Sequence, residues 1–221
     1  MVRAIRVCFF GDSICVGQDV TLHKTWVVRT SRALSEHFAP RGIEIVVSNP
    51  SVNGNTTRQA LERMAFDVQS RAVDVLIIQF GLNDLNYWDT DRGVPRVTRE
   101  AFAANLAEMA ARGRANGARD VSISTNHPTT RKDARAGLPT SYQADNELYN
   151  VAIRDVASAT GAGLNDVEAH VFDLTERDAG AIAKLVLADG LHLSEAGHDL
   201  YADFMTPRAI AAVNRVLASV R

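Results

Sequence analysis

The sequence has few cysteines, little net charge and no long run of charges of one sign. It contains two cysteines among 221 residues and carries a formal net charge of -2. A near-neutral chain offers no basic surface for nucleic acid, so we expect no nucleic-acid partner. Two cysteines are too few for a disulfide scaffold, and Cys8 falls within a predicted buried strand. This usage favours a reducing compartment.

Long apolar runs are missing as well. No stretch approaches the roughly 20 apolar residues that cross a bilayer, so we expect no integral membrane segment. The short apolar stretch near the N-terminus runs into a Gly-Asp-Ser turn, without the longer hydrophobic region or the cleavage site of a secretory signal. We therefore predict a cytoplasmic protein, although a mature chain whose signal had been removed would look the same. The sequence leaves the oligomeric state open.

What is present is the alternating pattern of an α/β protein. Hydrophobic residues make up 46% and charged residues 23%, an ordinary globular composition. Short apolar runs alternate with amphipathic stretches, and a run such as 75–78 is apolar on both faces, as in a strand covered by helices on both sides. We predict a parallel sheet of about five strands with helices on both faces, in a single domain of residues 1–221. The predicted strands are 5–10, 43–48, 73–80, 120–125 and a weaker run within 163–167, and the predicted apolar helical faces comprise Phe102, Leu106 and Met109, and Ile210, Val213, Leu217 and Val220.

Two long polar connections, residues 82–98 and 126–142, follow the third and fourth predicted strands. Open α/β sheets bind ligands at the carboxyl ends of their strands. Loops of this length in a compact domain are usually functional. We therefore expect the functional crevice beside these two loops.

A serine and a histidine at opposite ends of the chain are candidate catalytic residues. Ser13 follows the first strand in a Gly-Asp-Ser turn, at the carboxyl edge of the predicted sheet. Asp189 precedes His192 by three residues, so its carboxylate can turn toward the imidazole and fix the tautomer. Taken alone, the Ser13 segment fits an ordinary turn at least as well. The segment with Asp189 and His192 equally fits a solvated loop before a last helix, which Ser194 can cap. A metal site is a weaker alternative, because only His198 lies nearby as a further ligand.

Two more turns follow predicted strands. Gly54 comes after the second strand in an Asn-Gly-Asn-Thr segment, and Asn83 comes after the third in a Gly-Leu-Asn-Asp segment. Both segments could be turns and nothing more, because Asn-Gly is a strong turn pattern. In the functional interpretation, the Gly54 N–H and the Asn83 amide donate to a developing oxyanion, where each donor is worth roughly 10²–10³ in turnover. The convergence of four such segments at one edge of the sheet favours function.

Together the four segments resemble the sequence blocks of the SGNH, or GDSL-type, family of esterases and lipases. The blocks correspond to Gly11-Asp12-Ser13, to Gly54, to Gly81-Leu82-Asn83-Asp84, and to Asp189 with His192, in the family's order across nearly the whole chain. The resemblance implies a flavodoxin-like three-layer α/β/α sandwich and a carboxylic-ester hydrolase. It implies Ser13 as nucleophile, His192 as its general base and Asp189 as the residue that orients the base. The implied oxyanion donors are Ser13, Gly54 and Asn83, and the implied acyl-enzyme route needs neither metal nor organic cofactor.

The two loops also hold candidate substrate-binding residues. Tyr87 and Trp88 offer aromatic faces on which a sugar can stack, although they could equally anchor the loop, and His127 ends the fourth strand. Arg131, Lys132 and Arg135 on the second loop could attract an anionic leaving group, but we interpret them as part of a solvated basic loop. Both loops are poor in the apolar residues that a long acyl chain requires. We predict a small-molecule ester with a short acyl group, such as acetyl, on a polar or sugar-like carrier.

Other functions remain as alternatives. The same triad could serve a thioesterase, a lysophospholipase-type hydrolase or an acyltransferase that passes the acyl group to an alcohol. A non-catalytic flavodoxin-like binding module is less favoured, because every catalytic residue type is present. The chain has no Gly-x-Ser-x-Gly elbow and no phosphate-binding loop, which argues against the other common serine-esterase arrangement and against a nucleotide-binding site.

Overall fold

In residues 3–135 and 138–219, which the computed structural model describes, five strands form one parallel sheet. The strands are β1 (Arg3–Gly11), β2 (Ile43–Ser48), β3 (Val75–Gln79), β4 (Asp120–Ser124) and β5 (Gly163–Asn165). They lie in the order β2-β1-β3-β4-β5, and each neighbouring pair is parallel. This order is the flavodoxin-like one, and the predicted strands are confirmed to within two residues.

Helices cover both faces of the sheet. They are α1 (Ser13–Val16), α2 (Trp26–Phe38), α3 (Thr57–Asp67), α4 (Arg99–Ala115), α5 (Tyr142–Thr160), α6 (Val167–Thr175), α7 (Ala179–Lys184) and α8 (Glu195–Ala218). Successive strand residues point to opposite faces. Phe9 therefore packs edge-on against Trp26 of α2 at 5.3 Å, whereas Phe10 lies beneath Arg63 of α3 at 4.6 Å. The predicted three-layer α/β/α sandwich is confirmed.

The predicted apolar helical faces supply much of the core. Phe102, Leu106 and Met109 of α4 are fully buried, as are Val213 and, nearly so, Leu217 of α8. Ile210 is half-buried against the same core, and Val220 lies outside the described residues. Ser194 caps α8 as expected, accepting a hydrogen bond from the Gly197 N–H. None of the helices in the described ranges combines the length and apolar character needed to cross a membrane.

The order of the strands decides where the loops meet. β1 is hydrogen-bonded to β2 on one side and to β3 on the other. The segments that leave the carboxyl ends of β2, β1 and β3 therefore lie side by side at one edge of the sheet. The two long connections, after β3 and after β4, border the same edge.

Candidate active site

Ser13 is the first residue of the short helix α1, which follows β1, the strand between β2 and β3. Asp12 caps this helix, its side chain accepting the Ile14 N–H at 3.0 Å. Gly17 ends it in the left-handed conformation, with φ of 79°. The turn is thus fixed at both ends, and Ser13 is 6% exposed at the carboxyl edge of the sheet.

Asp189 and His192 belong to one tight loop before α8. One carboxylate oxygen of Asp189 accepts the backbone N–H groups of Leu191 and His192, at 2.9 and 3.0 Å. The other oxygen lies 2.5 Å from Nδ1 of His192. Partial burial raises the pKa of Asp189, but the hydrogen bonds from His192 and Leu191 outweigh burial and hold this pKa below its usual range. The carboxylate is therefore ionised at neutral pH.

The fold joins this loop to the nucleophile turn. Nε2 of His192 lies 3.0 Å from Oγ of Ser13, across 179 residues of sequence. Since the Asp189 carboxylate accepts from Nδ1, the proton of a neutral imidazole sits there, and Nε2 is free to accept the Ser13 hydroxyl proton. A hydroxyl, an imidazole and a carboxylate in this sequence can generate an alkoxide-like nucleophile.

Gly54 and Asn83 lie on the segments after β2 and β3. Gly54 is exposed, with φ of 75°, and no hydrogen bond from its N–H is found among the described residues. The amide nitrogen of Asn83 lies 3.2 Å from Oδ2 of Asp12 and 3.1 Å from the Asn55 carbonyl oxygen. Both amide protons therefore face protein acceptors, one on the nucleophile turn and one beside Gly54.

Two buried carboxyl groups flank Asn83, and sequence reasoning gave neither a role. Burial, with the charge of nearby Asp84 adding to it, raises the pKa of Asp12 to about 7. Burial also raises the pKa of Asp84 to about 6, although Asp84 accepts hydrogen bonds from the Thr57 N–H and hydroxyl at 2.9 and 2.5 Å. The amide is thus held beside two acids that titrate close to neutral pH.

The structure does not bring His127 into the crevice. It is 2% exposed, and its Nε2 lies 2.8 Å from the Leu191 carbonyl oxygen, which can only accept. Nδ1 must therefore accept the hydroxyl proton of Tyr201 at 2.9 Å, while that hydroxyl accepts from the Gln79 amide at 3.1 Å. Burial lowers the pKa of His127 to about 4. The expected substrate contact is corrected: both ring nitrogens are occupied, and the residue supports the loop that carries His192.

The two aromatic candidates have different surroundings. Tyr87 is half-buried, and the guanidinium of Arg135 covers its ring at 4.6 Å. Arg135 also stacks on the ring of Tyr142 at 4.6 Å. Trp88 is 58% exposed, and it borders a hollow of about 360 Å³ together with Asp91 and Arg96. Of the pair, only Trp88 presents an open face.

Two basic residues of the second loop, Arg131 and Arg135, are packed, whereas Lys132 is exposed, so the expectation of a solvated basic loop is wrong for two of the three. Besides the Arg135 stack, the Nε of Arg131 donates to the Asp189 carbonyl oxygen at 2.8 Å. The Arg131 guanidinium also lies over the Tyr142 ring at 5.2 Å. Sequence reasoning missed this second support of the loop that carries His192, because the partners are 58 residues apart.

A cavity lies away from Ser13. That cavity, of about 770 Å³, is on the α8 side of β4 and β5 and is bordered by Ser122, Asn165 and Arg208. It does not reach the residues around Ser13. Within residues 3–135 and 138–219, side chains that could bind a metal do not gather in groups of three or more.

Comparison with known proteins identifies the family. The profile of the GDSL-like lipase/acylhydrolase family matches residues 9–200, which include Ser13, Gly54, Asn83, Asp189 and His192. The chain belongs to this family. The resemblance inferred from the sequence blocks is therefore confirmed, and with it the general class of ester-cleaving acylhydrolases.

Similar proteins agree with this assignment, one by sequence and two by structure. An arylesterase from Vibrio mimicus is 26% identical over 123 residues, and this alignment spans 56% of the GDSL-type chain and 56% of the arylesterase. A lipase/acylhydrolase from Enterococcus faecalis has a TM-score of 0.70 at 23% identity, covering 94% of this chain and 96% of that one. An acetylxylan esterase from Geobacillus stearothermophilus has a TM-score of 0.73 at 19% identity, covering 97% and 95%. At these identities, the two structures share the fold with this chain.

Proposed function

We propose that this GDSL-type chain is a serine acylhydrolase in which Ser13 attacks a carboxylic ester. His192 takes the hydroxyl proton as the C–O bond forms and later gives it to the departing alcohol. Asp189 orients the imidazole and stabilises its protonated form. Water, deprotonated by the same histidine, then releases the acid from the acyl-enzyme.

One observation carries this proposal: the unbroken path from the Ser13 hydroxyl through the imidazole to the Asp189 carboxylate, with separations of 3.0 and 2.5 Å. The two contacts define the direction of proton movement, because each nitrogen of the ring has a different partner. The geometry requires no rotamer change before the reaction begins. His127 and Arg131 support the proposal because they donate hydrogen bonds to backbone carbonyl oxygens of the loop that carries His192.

The oxyanion would form among three donors, the N–H groups of Ser13 and Gly54 and the side-chain amide of Asn83. The Ser13 N–H belongs to the first turn of α1, where N–H groups have no helical partner. Asn83 would turn one proton from Asp12 to the oxyanion. That exchange is favoured by the raised pKa of Asp12, about 7 through burial, because a protonated carboxyl group is the weaker acceptor.

For the substrate we propose a short acyl group, such as acetyl, on a polar or sugar-like carrier. The open face of Trp88 can stack on a sugar ring, while Asp91 in the same hollow can pair with hydroxyl groups. The two loops that border the site are poor in the apolar residues that would line a pocket for a long chain. Two of the similar solved structures are acetyl xylan esterases, which is consistent with such a substrate.

The test is a panel of 4-nitrophenyl esters of increasing acyl length, measured on the wild type and on Ser13→Ala. We expect turnover of the short esters and a loss on the order of 10⁴-fold in kcat for Ser13→Ala. Ser70→Ala is the matched control, because Ser70 is an exposed serine whose hydroxyl donates to the Phe66 carbonyl oxygen. A fluorophosphonate adduct on Ser13, located by mass spectrometry, identifies the nucleophile independently.

Each outcome separates a part of the proposal. Activity that survives in Ser13→Ala excludes the mechanism. A preference for long acyl chains excludes the short-acyl substrate and leaves the mechanism intact. Transfer to an added alcohol in preference to water would identify an acyltransferase instead.

A further inference from the structure

The turn that carries Gly54 has little support of its own. A Cβ built at Gly54 would meet no atom within 4 Å, so side-chain packing does not fix this residue, although its neighbour Asn55 is held by hydrogen bonds from Arg63 and Asn83. The turn itself contributes one internal hydrogen bond, from the Asn55 N–H to the Val52 carbonyl oxygen at 3.2 Å. A donor that must point at a developing charge needs a firmer hold than this, because misplacement by about 1 Å can cost roughly 10² in rate.

Arg96 supplies that hold from the loop after β3. Its Nη1 donates to the Gly54 carbonyl oxygen at 3.0 Å. Its Nη2 donates at 3.2 Å to Oε1 of Gln59, which also accepts the Thr56 N–H at 3.0 Å in the capping box of α3. The planar guanidinium therefore connects the Gly54 turn to the first turn of a helix, and its two bonds fix the orientation of the carbonyl.

Arg96 is itself held in place. Its backbone N–H donates to the Asn86 carbonyl oxygen at 2.7 Å, and its guanidinium lies 5.5 Å from the centre of the Trp88 ring. The same side chain thus contacts the proposed oxyanion segment on one side and the Trp88 ring on the other. The distance in sequence between Arg96 and Gly54, 42 residues, explains why no local pattern reveals the contact.

We propose that Arg96 is a positioning residue that fixes the Gly54 N–H as an oxyanion donor. The inference rests on the proposed function of Ser13 and Gly54. Because the effect passes through the oxyanion and not through the carrier, loss of Arg96 lowers kcat and leaves KM nearly unchanged. An oxyanion donor is worth roughly 10²–10³ in turnover, so a donor that is loosened but still present should cost about 10- to 100-fold.

The experiment compares Arg96→Ala, Arg96→Lys and Arg58→Ala with the wild type, using 4-nitrophenyl acetate and an acetylated sugar. Arg58 is the matched control, an exposed arginine on the same first turn of α3. We expect Arg96→Ala to lose about 10- to 100-fold in kcat on both substrates. Inhibition by a short alkylboronic acid, whose tetrahedral adduct places an oxygen in the oxyanion site, should weaken by the same factor. Arg96→Lys should recover only part of kcat, since an ammonium group cannot reproduce the planar two-acceptor contact.

The outcomes distinguish this inference from the function on which it rests. If kcat of Arg96→Ala equals that of Arg58→Ala while Ser13→Ala is inactive, the positioning role is excluded and the hydrolase stands. A rise in KM for the sugar ester alone, without a change in kcat, also excludes it and makes Arg96 a carrier contact. If Ser13→Ala remains active, the proposed function fails whatever Arg96 does. Should Arg96→Ala not fold, judged by near-ultraviolet circular dichroism, the comparison of Arg96→Lys with Arg58→Ala decides on the same criteria.

Discussion

Replacing Asp189 with asparagine should abolish most of the activity without disturbing the loop. In the wild type, Oδ1 accepts two backbone N–H groups and Oδ2 accepts Nδ1 of His192. If the asparagine oxygen keeps the two backbone bonds, its NH₂ group faces Nδ1 and forces that nitrogen to accept. The ring proton then moves to Nε2, which can no longer take the Ser13 proton.

The alternative orientation of the asparagine side chain restores the active tautomer of His192 at a cost in free energy. Turning the oxygen toward Nδ1 leaves the Leu191 and His192 N–H groups facing an NH₂ group, and two lost hydrogen bonds cost about 2–3 kcal/mol. The imidazolium also loses a neighbouring charge, worth about 4 kcal/mol at an effective dielectric constant of about 20. The side chain of Asp189 is 37% exposed, so we reduce this value by about half. The sum of about 4–5 kcal/mol corresponds to a loss on the order of 10³-fold in kcat.

The assay is steady-state hydrolysis of 4-nitrophenyl acetate by Asp189→Asn and by Asp178→Asn. Asp178 is the matched control, because its carboxylate caps α7 by accepting the Ala181 N–H at 2.7 Å and asparagine caps equally well. The control should keep wild-type kcat. A loss of less than about tenfold in the kcat of Asp189→Asn would refute the assigned tautomer. It would mean that the asparagine side chain serves both the His192 ring and the backbone N–H groups without a free-energy cost.

Stability should respond at two buried positions. Gly17→Ala should lower the free energy of unfolding by about 2–4 kcal/mol in urea denaturation, because φ is 79° and the new Cβ would lie 2.2 Å from Cγ2 of Thr25; an unchanged midpoint would contradict this. Burial lowers the pKa of His127 from 6.5 to about 4. The contribution of the neutral imidazole to the free energy of unfolding is therefore full above pH 6.5 and is lost as the pH falls through 4. The difference in unfolding free energy between wild type and His127→Gln should therefore narrow by up to about 3 kcal/mol between pH 7 and pH 4, and a constant difference would exclude this assignment.

Much of the fold was accessible from local patterns. Apolar runs located all five strands to within two residues, most directly β3, whose residues are all buried and which therefore shows no polar alternation. The pair Asp189 and His192 was accessible for a similar reason: a spacing of three residues lets one turn bring carboxylate and imidazole together. The turn at Ser13 also follows from local sequence, since Gly-Asp-Ser supplies both the bend and the helix cap.

What escaped sequence reasoning depends on packing between distant segments. His127 lies in a polar run at a crevice edge, and nothing in that run shows that Tyr201, 74 residues away, covers it. The stack of Arg135 on Tyr87 likewise joins two loops that have no common pattern. A polar residue in a loop looks the same in sequence whether it faces solvent or supports a neighbouring segment. Only the arrangement of the loops in space separates the two roles.

The strand order explains why one hydroxyl can meet donors from several loops. Neighbouring strands lie about 4.8 Å apart, so the segments leaving β2, β1 and β3 fall within roughly 10 Å of each other. With β1 in the middle, Ser13 has Gly54 on one side and Asn83 on the other, and an oxygen above it can face both. If β1 were at an edge, the same sequence blocks would put both donors on one side of the hydroxyl. Asp189 and His192 share a single turn, so their contact is local in sequence. The contact between Ser13 and His192 is therefore the only long-range contact within the proposed triad.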